Sequence, residues 1–202
     1  MTPKEIAEKA VDEWFAYQDS FELEMALTVI EKLQPKVILE IGTAHGASLA
    51  AWAEVAKPDL TIALDPEDIP RTAEQQKSFD FLAKEYNFRR IPFYTRNPVA
   101  HSKLKAILDK KKVDFMFIDA AHDFDNVLYD FYAYKKYMAS NGIVGFHDIT
   151  YNEVLADAGS TVSFFWDRMV TRYNYDIFYH HSTMGIGFIY LGMPVTPSTH
   201  KT

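Results

Sequence analysis

Cysteine is absent from the sequence, which removes disulfides, thiolate catalysis and Cys-based zinc sites together. Any metal must therefore be held by carboxylates and histidines. Positive charge is also scarce: 21 Lys and Arg against 28 Asp and Glu give a formal net charge of −7. A polyanionic partner needs a basic patch to displace its counterions, so nucleic acid and anionic membrane are not expected partners. The one basic run, Lys110-Lys111-Lys112, closes a predicted helix, where lysines offset the negative end of the helix dipole. No apolar run approaches the roughly 18 residues of a membrane span, and no basic-then-apolar start marks a secretory signal, so a cytoplasmic location is expected. Two nucleotide motifs are missing as well. Neither G-x-G-x-x-G nor G-K-[ST] occurs at the turn described next.

What is present is a strand, a glycine turn and a helix in the stretch Val37 to Ser48. Val37 to Ile41 is a short apolar run rich in β-branched residues, as in a strand buried on both faces of a parallel sheet. Gly42 and Gly46 punctuate it, and Leu49, Trp52, Ala53 and Ala56 then fall at helical spacing. Free backbone N–H groups at a helix start attract carboxylate or phosphate, and glycines let a ligand approach the main chain, so Gly46 is expected to admit no side chain beside a cofactor. A second strand candidate, Leu60 to Leu64, ends in Asp65, which follows Gly42 by 23 residues. That is close to the roughly 20-residue interval that brings a carboxylate to a ribose hydroxyl. Glu40 just before the turn argues against a pyrophosphate there, because two negative groups would repel. A cationic, phosphate-free nucleoside is tolerated.

The remaining chain alternates β and α. Thr2-Pro3-Lys4-Glu5 is a capping box that opens a helix with Ile6, Ala10 and Trp14 on one face, and Asp19 to Glu22 repeats the cap for a helix burying Met25, Val29 and Leu33. Pro66 to Pro70 reads as a loop before a helix with Phe79, Leu82, Ala83 and Tyr86 on a shared face. Arg90 to Tyr94 is a third strand, Asn97-Pro98 opens the next helix, and Val113 to Ile118 is a fourth strand ending in Asp119. A helix carrying Val127, Phe131, Tyr134 and Met138 follows, broken by Asn141-Gly142, and Ile143 to Phe146 is a fifth strand reaching His147-Asp148. Tyr173 to Tyr179 and Met184 to Leu191 read as a hairpin across a polar turn at His180 to Thr183. The expected architecture is α/β: a Rossmann-like, doubly wound, mostly parallel seven-stranded sheet with helices on both faces and a C-terminal antiparallel hairpin. Residues 1–34 are expected to form N-terminal helices packed on a domain spanning 35–193, with a disordered tail at 194–202.

Glu-Ile-Gly-Thr-Ala-His-Gly-Ala-Ser at positions 40–48, Leu64-Asp65-Pro66, Phe117 to His122 and Gly142 to Asp148 together resemble the motifs of class I S-adenosylmethionine-dependent methyltransferases. The branch is that of small-molecule O-methyltransferases and cephalosporin-hydroxylase-like proteins, many of which use a divalent metal. The resemblance spans Pro35 to Ile149, with Ala44 standing where the commoner turn has a glycine. It implies that S-adenosylmethionine is bound by Glu40, Gly42, Thr43, Gly46, Ser48, Asp65 and Asp119, with Glu40 toward the methionine amino group. His45 is read as exposed in the turn and without chemistry.

Asp119 and Asp148, at the ends of neighbouring central strands, form a pair of like charges that is costly without a cation between them. The resemblance implies that both are metal ligands, with magnesium preferred and manganese or calcium as alternatives. Ile149 replaces a common Asn ligand, so either His147 or His122 completes the set or the site is metal-free. In related catechol methyltransferases a lysine base lies three places after the metal-binding Asp; here that place belongs to His122, which with Asp119 makes the expected catalytic pair. His180-His181 is read as solvated. The function expected is methylation of a hydroxyl on a small molecule, a sugar or natural-product scaffold, with a homo-oligomer possible. The rival readings are a binding protein that keeps the cofactor site without methyl transfer, and a hydroxylase-associated partner subunit.

Overall fold

The computed structural model describes residues 1–66, 72–151, 153, 157, 159–180 and 183–193. Most of the expected loop at 66–70, His181 in the expected turn and the expected disordered tail lie outside the described residues.

Seven strands form one sheet in the order β3-β2-β1-β4-β5-β7-β6. Strands β1 (Val37–Ile41), β2 (Leu60–Leu64), β3 (Phe88–Ile91), β4 (Val113–Ile118) and β5 (Met138–His147) run parallel. Strand β7 (Ile186–Tyr190) enters antiparallel between β5 and β6 (Asn174–Phe178), which makes the expected hairpin. The order reverses between β1 and β4, and a crevice opens at such a switch point beyond the strands' C-terminal ends.

Period-2 alternation sends successive side chains of the central strands into two cores. Ile38, Phe115 and Phe117 pack with α1 (Pro3–Asp12), α2 (Ser20–Leu33), α3 (Ala47–Ala56) and α4 (Ala73–Glu85). Leu39, Ile41, Met116 and Ile118 face the other way, onto α5 (Pro98–Leu108), α6 (Phe124–Lys135) and α7 (Val162–Met169). Trp52 of α3 anchors the first core against the rings of Phe115, Phe117 and Phe188.

Helix starts follow the sequence signals. Thr2 and Glu5 close a capping box, and Asn97 caps α5 through Val99 N–H with Pro98 in the first turn. The second helix differs from expectation in two ways. Asp19 caps it, but Glu22 turns inward and accepts from Gly185 N–H at 2.9 Å. Its buried stripe is Leu23, Ala26, Leu27 and Ile30, while Met25 and Leu33 are exposed, because α1 and α3 meet the adjacent face. Strand β3 ends at Ile91, three residues short of the expected Tyr94, and Ala83 is exposed. Met138 opens β5 instead of closing α6, and Asn141-Gly142 falls inside that strand near its irregular register.

Candidate active site

A cavity of about 860 Å³ lies over the C-terminal ends of β1, β2 and β4. Its wall includes Gly42, Thr43 and Ser48 of the turn, Asp65 at the end of β2, and Asp119, His122, His147 and Asp148. Sequence reasoning named all of these, and the fold brings them together from segments more than a hundred residues apart.

Two residues expected at the cofactor stand behind the wall. Glu40 is fully buried, and the Ser48 hydroxyl donates to its Oε1. Burial raises its pKa well above the usual carboxylate range, with Asp119 and Asp65 adding repulsion. Glu40 therefore meets the cavity through Ser48. Gly46 has φ +82, and a Cβ built on it would meet the Phe79 ring at 3.2 Å. The glycine at this position answers to backbone sign and to helix α4, whose Phe79 ring an added Cβ would meet first. Gly42 is tighter: a Cβ there would come within 2.2 Å of the Asp119 carbonyl oxygen, so the turn after β1 is pressed against the end of β4.

Asp65 is buried and accepts from Ala44 N–H, which ties the end of β2 to the turn. Ala44 has φ +43, a left-handed conformation that the glycine of the commoner turn would adopt without strain. His45 is buried, contrary to its expected exposure, with its ring 5.3 Å from that of Tyr17.

The reactive end is a cluster of two carboxylates and two imidazoles. His147 Nδ1 lies 3.3 Å from Asp119 Oδ1 and 3.1 Å from Asp148 Oδ1, at ion-pair distance from both. Burial alone would lower the His147 pKa, but the charges of Asp119, Asp148 and Glu22 overcome it and push it up to about 9. For Asp119, burial works upward and is outweighed by His147, His122 and a hydrogen bond from Gln18, so its pKa lies below the usual value. His122 Nδ1 contacts Asp148 Oδ2, and this bond raises the His122 pKa against partial burial. Asp148 has φ +60 at the end of β5, a left-handed backbone that Asp tolerates better than most residues. Among the described residues no three His, Cys, Asp or Glu side chains form a group already arranged for a metal. Asp119 Oδ1 and Asp148 Oδ1 are nonetheless buried, and among the described residues His147 Nδ1 is the polar neighbour both of them face.

Gln18 and Asp130 are among the cavity residues that carried no sequence prediction. Gln18, in the connector between α1 and α2, donates from Nε2 to Asp119 Oδ2 at 2.6 Å across 101 positions, and nothing local foretells such a contact. Asp130 lines the cavity from α6 and is buried; burial pushes its pKa up to about 6. A carboxylate on the helix face that carries Val127, Phe131 and Tyr134 was the signal available for it. His180 is exposed and meets the ring of Phe21 edge-on.

The reversed strand order, the glycine turn between β1 and α3, and an acid closing β2 define a class I S-adenosylmethionine-dependent methyltransferase fold. The chain belongs to the methyltransferase-domain family, whose model matches residues 39–149, more than half of its length. It is an S-adenosylmethionine-dependent methyltransferase. Solved structures of similar fold include the O-methyltransferase TomG from Streptomyces achromogenes, in complex with S-adenosylmethionine, at 14% identity and TM-score 0.61, covering 95% of this chain and 90% of that one. An O-methyltransferase from Bacillus cereus in complex with S-adenosylhomocysteine matches at 15% identity and TM-score 0.59, covering 94% and 90%. MycE of the mycinamycin biosynthetic pathway, in complex with Mg, S-adenosylhomocysteine and mycinamycin VI, matches at 16% identity and TM-score 0.63, covering 95% of this chain and 55% of that one. At these identities the likeness is one of fold. No curated protein matches the chain by sequence. Among the described residues no helix is long and apolar enough to cross a membrane.

Proposed function

We propose that the chain methylates a hydroxyl group on a small molecule, with His122 as general base. The observation that carries this reading is the His122–Asp148 pair in the wall of the same cavity as the glycine turn and Asp65. The names of TomG and of the Bacillus cereus protein as O-methyltransferases support it.

In this reading Thr43, Ser48 and the turn N–H groups receive the methionine end of the cofactor, and Asp65 receives the ribose. When bound, the cofactor supplies an electrophilic methyl on a sulfonium. A carboxylate only accepts hydrogen bonds, so Asp148 holds the Nδ1–H tautomer of His122 and leaves Nε2 to take the acceptor's proton as the oxygen–carbon bond forms and the carbon–sulfur bond breaks. His122 is half exposed, so the proton can pass on to water. A chain that only bound the cofactor would gain nothing from this pair.

A divalent cation fits the donor set by chemistry. Asp119 and Asp148 offer buried oxygens that face His147 Nδ1, and His147 would join them as a ligand after giving up its proton. When bound it would lower the pKa of a coordinated hydroxyl. The magnesium in the complex of MycE supports this assignment.

The test is methyl transfer from labelled S-adenosylmethionine to a panel of hydroxylated small molecules. His122→Ala should lower turnover by about 10²-fold or more while S-adenosylhomocysteine affinity stays near wild type. Turnover of His122→Ala at the wild-type rate would remove the base, and activity untouched by EDTA would remove the metal.

A further inference from the structure

We propose that Glu22 is a positioning residue for the reaction centre. Its buried carboxylate receives the Nε2–H of His147 across a second, smaller cavity, and so keeps Nδ1 turned to Asp119 and Asp148 as the nitrogen that would ligate a divalent cation. The inference rests on the metal assignment above.

Glu22 gives up a local bond to reach its place. In α1 and α4 the third helical residue closes a capping box, Glu5 onto Thr2 and Gln75 onto Thr72. Glu22 holds the same position in α2, yet it is fully buried, a costly location for a carboxylate. Its Oε1 accepts from Gly185 N–H, and Gly185 directly precedes Ile186, the partner of His147 across the β5–β7 ladder. That anchor needs a single acceptor atom, which an uncharged amide would supply equally well. The choice of a carboxylate calls for a second partner.

His147 is that partner. Ile143 packs in the core shared with α1 to α4, and period 2 sends His147 from β5 to the same face of the sheet, where α2 lies. Its Nδ1 takes the side of the reactive carboxylates, 3.3 Å from Asp119 Oδ1 and 3.1 Å from Asp148 Oδ1. Its Nε2 is buried and has no hydrogen-bond partner among the described residues. His147 and Glu22 both line a cavity of about 410 Å³, which shares Tyr17, Gln18 and Met184 with the larger one. Asp19, the other acid on this wall, is exposed and caps α2, so Glu22 is the buried carboxylate that meets Nε2–H, directly or through one water. Burial raises the Glu22 pKa, and the Thr183 side chain, the Gly185 N–H and the charge of His147 each pull it down, so the two groups sense one another. An imidazole that ligates through one nitrogen is oriented by the acceptor on its other N–H, and without it the ring is free to turn.

The experiment titrates the protein with Mn²⁺, reading the free ion by electron paramagnetic resonance, on wild type and Glu22→Gln. The amide oxygen of the variant can still accept from Gly185 N–H, but its NH₂ group then faces the cavity and cannot receive Nε2–H. Metal-free Glu22→Gln should melt at or above wild type, while its Mn²⁺ affinity falls by roughly 10- to 100-fold. In magnesium-saturated protein, ¹⁵N spectra of the His147 ring should show the Nε2–H tautomer alone in wild type and a mixture in the variant. Unchanged Mn²⁺ affinity in Glu22→Gln would overturn the assignment, as would weaker binding with the tautomer unchanged. An Nδ1–H tautomer in magnesium-saturated wild type would overturn it even if the variant fails to fold. A wild type that binds no Mn²⁺ would instead overturn the metal reading on which the inference rests.

Discussion

Replacing glycine by alanine at three positions separates what the backbone demands from what the packing demands. Gly42, Gly46 and Gly159 all have φ between +82 and +86, so each alanine pays the left-handed backbone penalty of roughly 1–2 kcal/mol. At Gly159 nothing among the described residues lies within 4 Å of the added Cβ, so that penalty is the whole expected effect. At Gly46 the Cβ meets the Phe79 ring at 3.2 to 3.3 Å, and a ring can yield by a few tenths of an ångström. At Gly42 the neighbours are backbone, the Asp119 carbonyl oxygen at 2.2 Å and the Ala120 Cα at 2.4 Å, and they cannot rotate away. The turn and the end of β4 must part by about 1 Å, an overpacking that adds about 1–3 kcal/mol. At about 2–4 °C per kcal/mol for a chain of this size, Gly159→Ala should lower Tm by about 2–8 °C and Gly42→Ala by about 4–20 °C, with Gly46→Ala close to Gly159→Ala. Gly42→Ala should also move the Asp119 carboxylate and cost turnover about 10²-fold, since a displacement of about 1 Å at a reacting centre has that effect. Differential scanning calorimetry and a methyl-transfer assay read both. Three equal drops in Tm would refute the packing argument and leave backbone conformation as the whole explanation.

Asp65→Ala should weaken S-adenosylhomocysteine binding by about 1.5–3 kcal/mol in calorimetry, since it removes a charged acceptor that also holds the Ala44 N–H; unchanged affinity would move the ribose elsewhere. Glu40 has a folded-state pKa raised by burial, so its proton is retained on folding and its contribution to stability falls as pH rises above the unfolded value. Thermal melts of Glu40→Gln should therefore run above wild type at pH 8, with the gap closing toward pH 4; a gap independent of pH would contradict this. The raised pKa of His122 should place the acid limb of the kcat/KM profile above the ordinary value of about 6.5, because the base works only when deprotonated. A limb at or below that value would sever the link to Asp148.

Local chemistry made much of this protein legible in its sequence. Apolar runs rich in β-branched residues marked the buried parallel strands, capping residues marked helix starts, and acids at strand ends marked Asp65, Asp119 and Asp148, because each signal depends on neighbours a few residues away. Where a pattern was symmetric, sequence could not choose: α2 is apolar on two adjacent faces, and only the position of α1 and α3 decided that Leu23 and Ile30 go inside while Met25 and Leu33 do not. The pairing of His122 with Asp148, the amide of Gln18 on Asp119, the ring behind Gly46 and the burial of Glu40 join parts of the chain that periodicity cannot relate. A sequence fixes which groups are available and on which element they ride. The packing of those elements against one another sets distances, dielectric and proton affinities, and so decides which carboxylate faces an imidazole and which is sealed behind the wall.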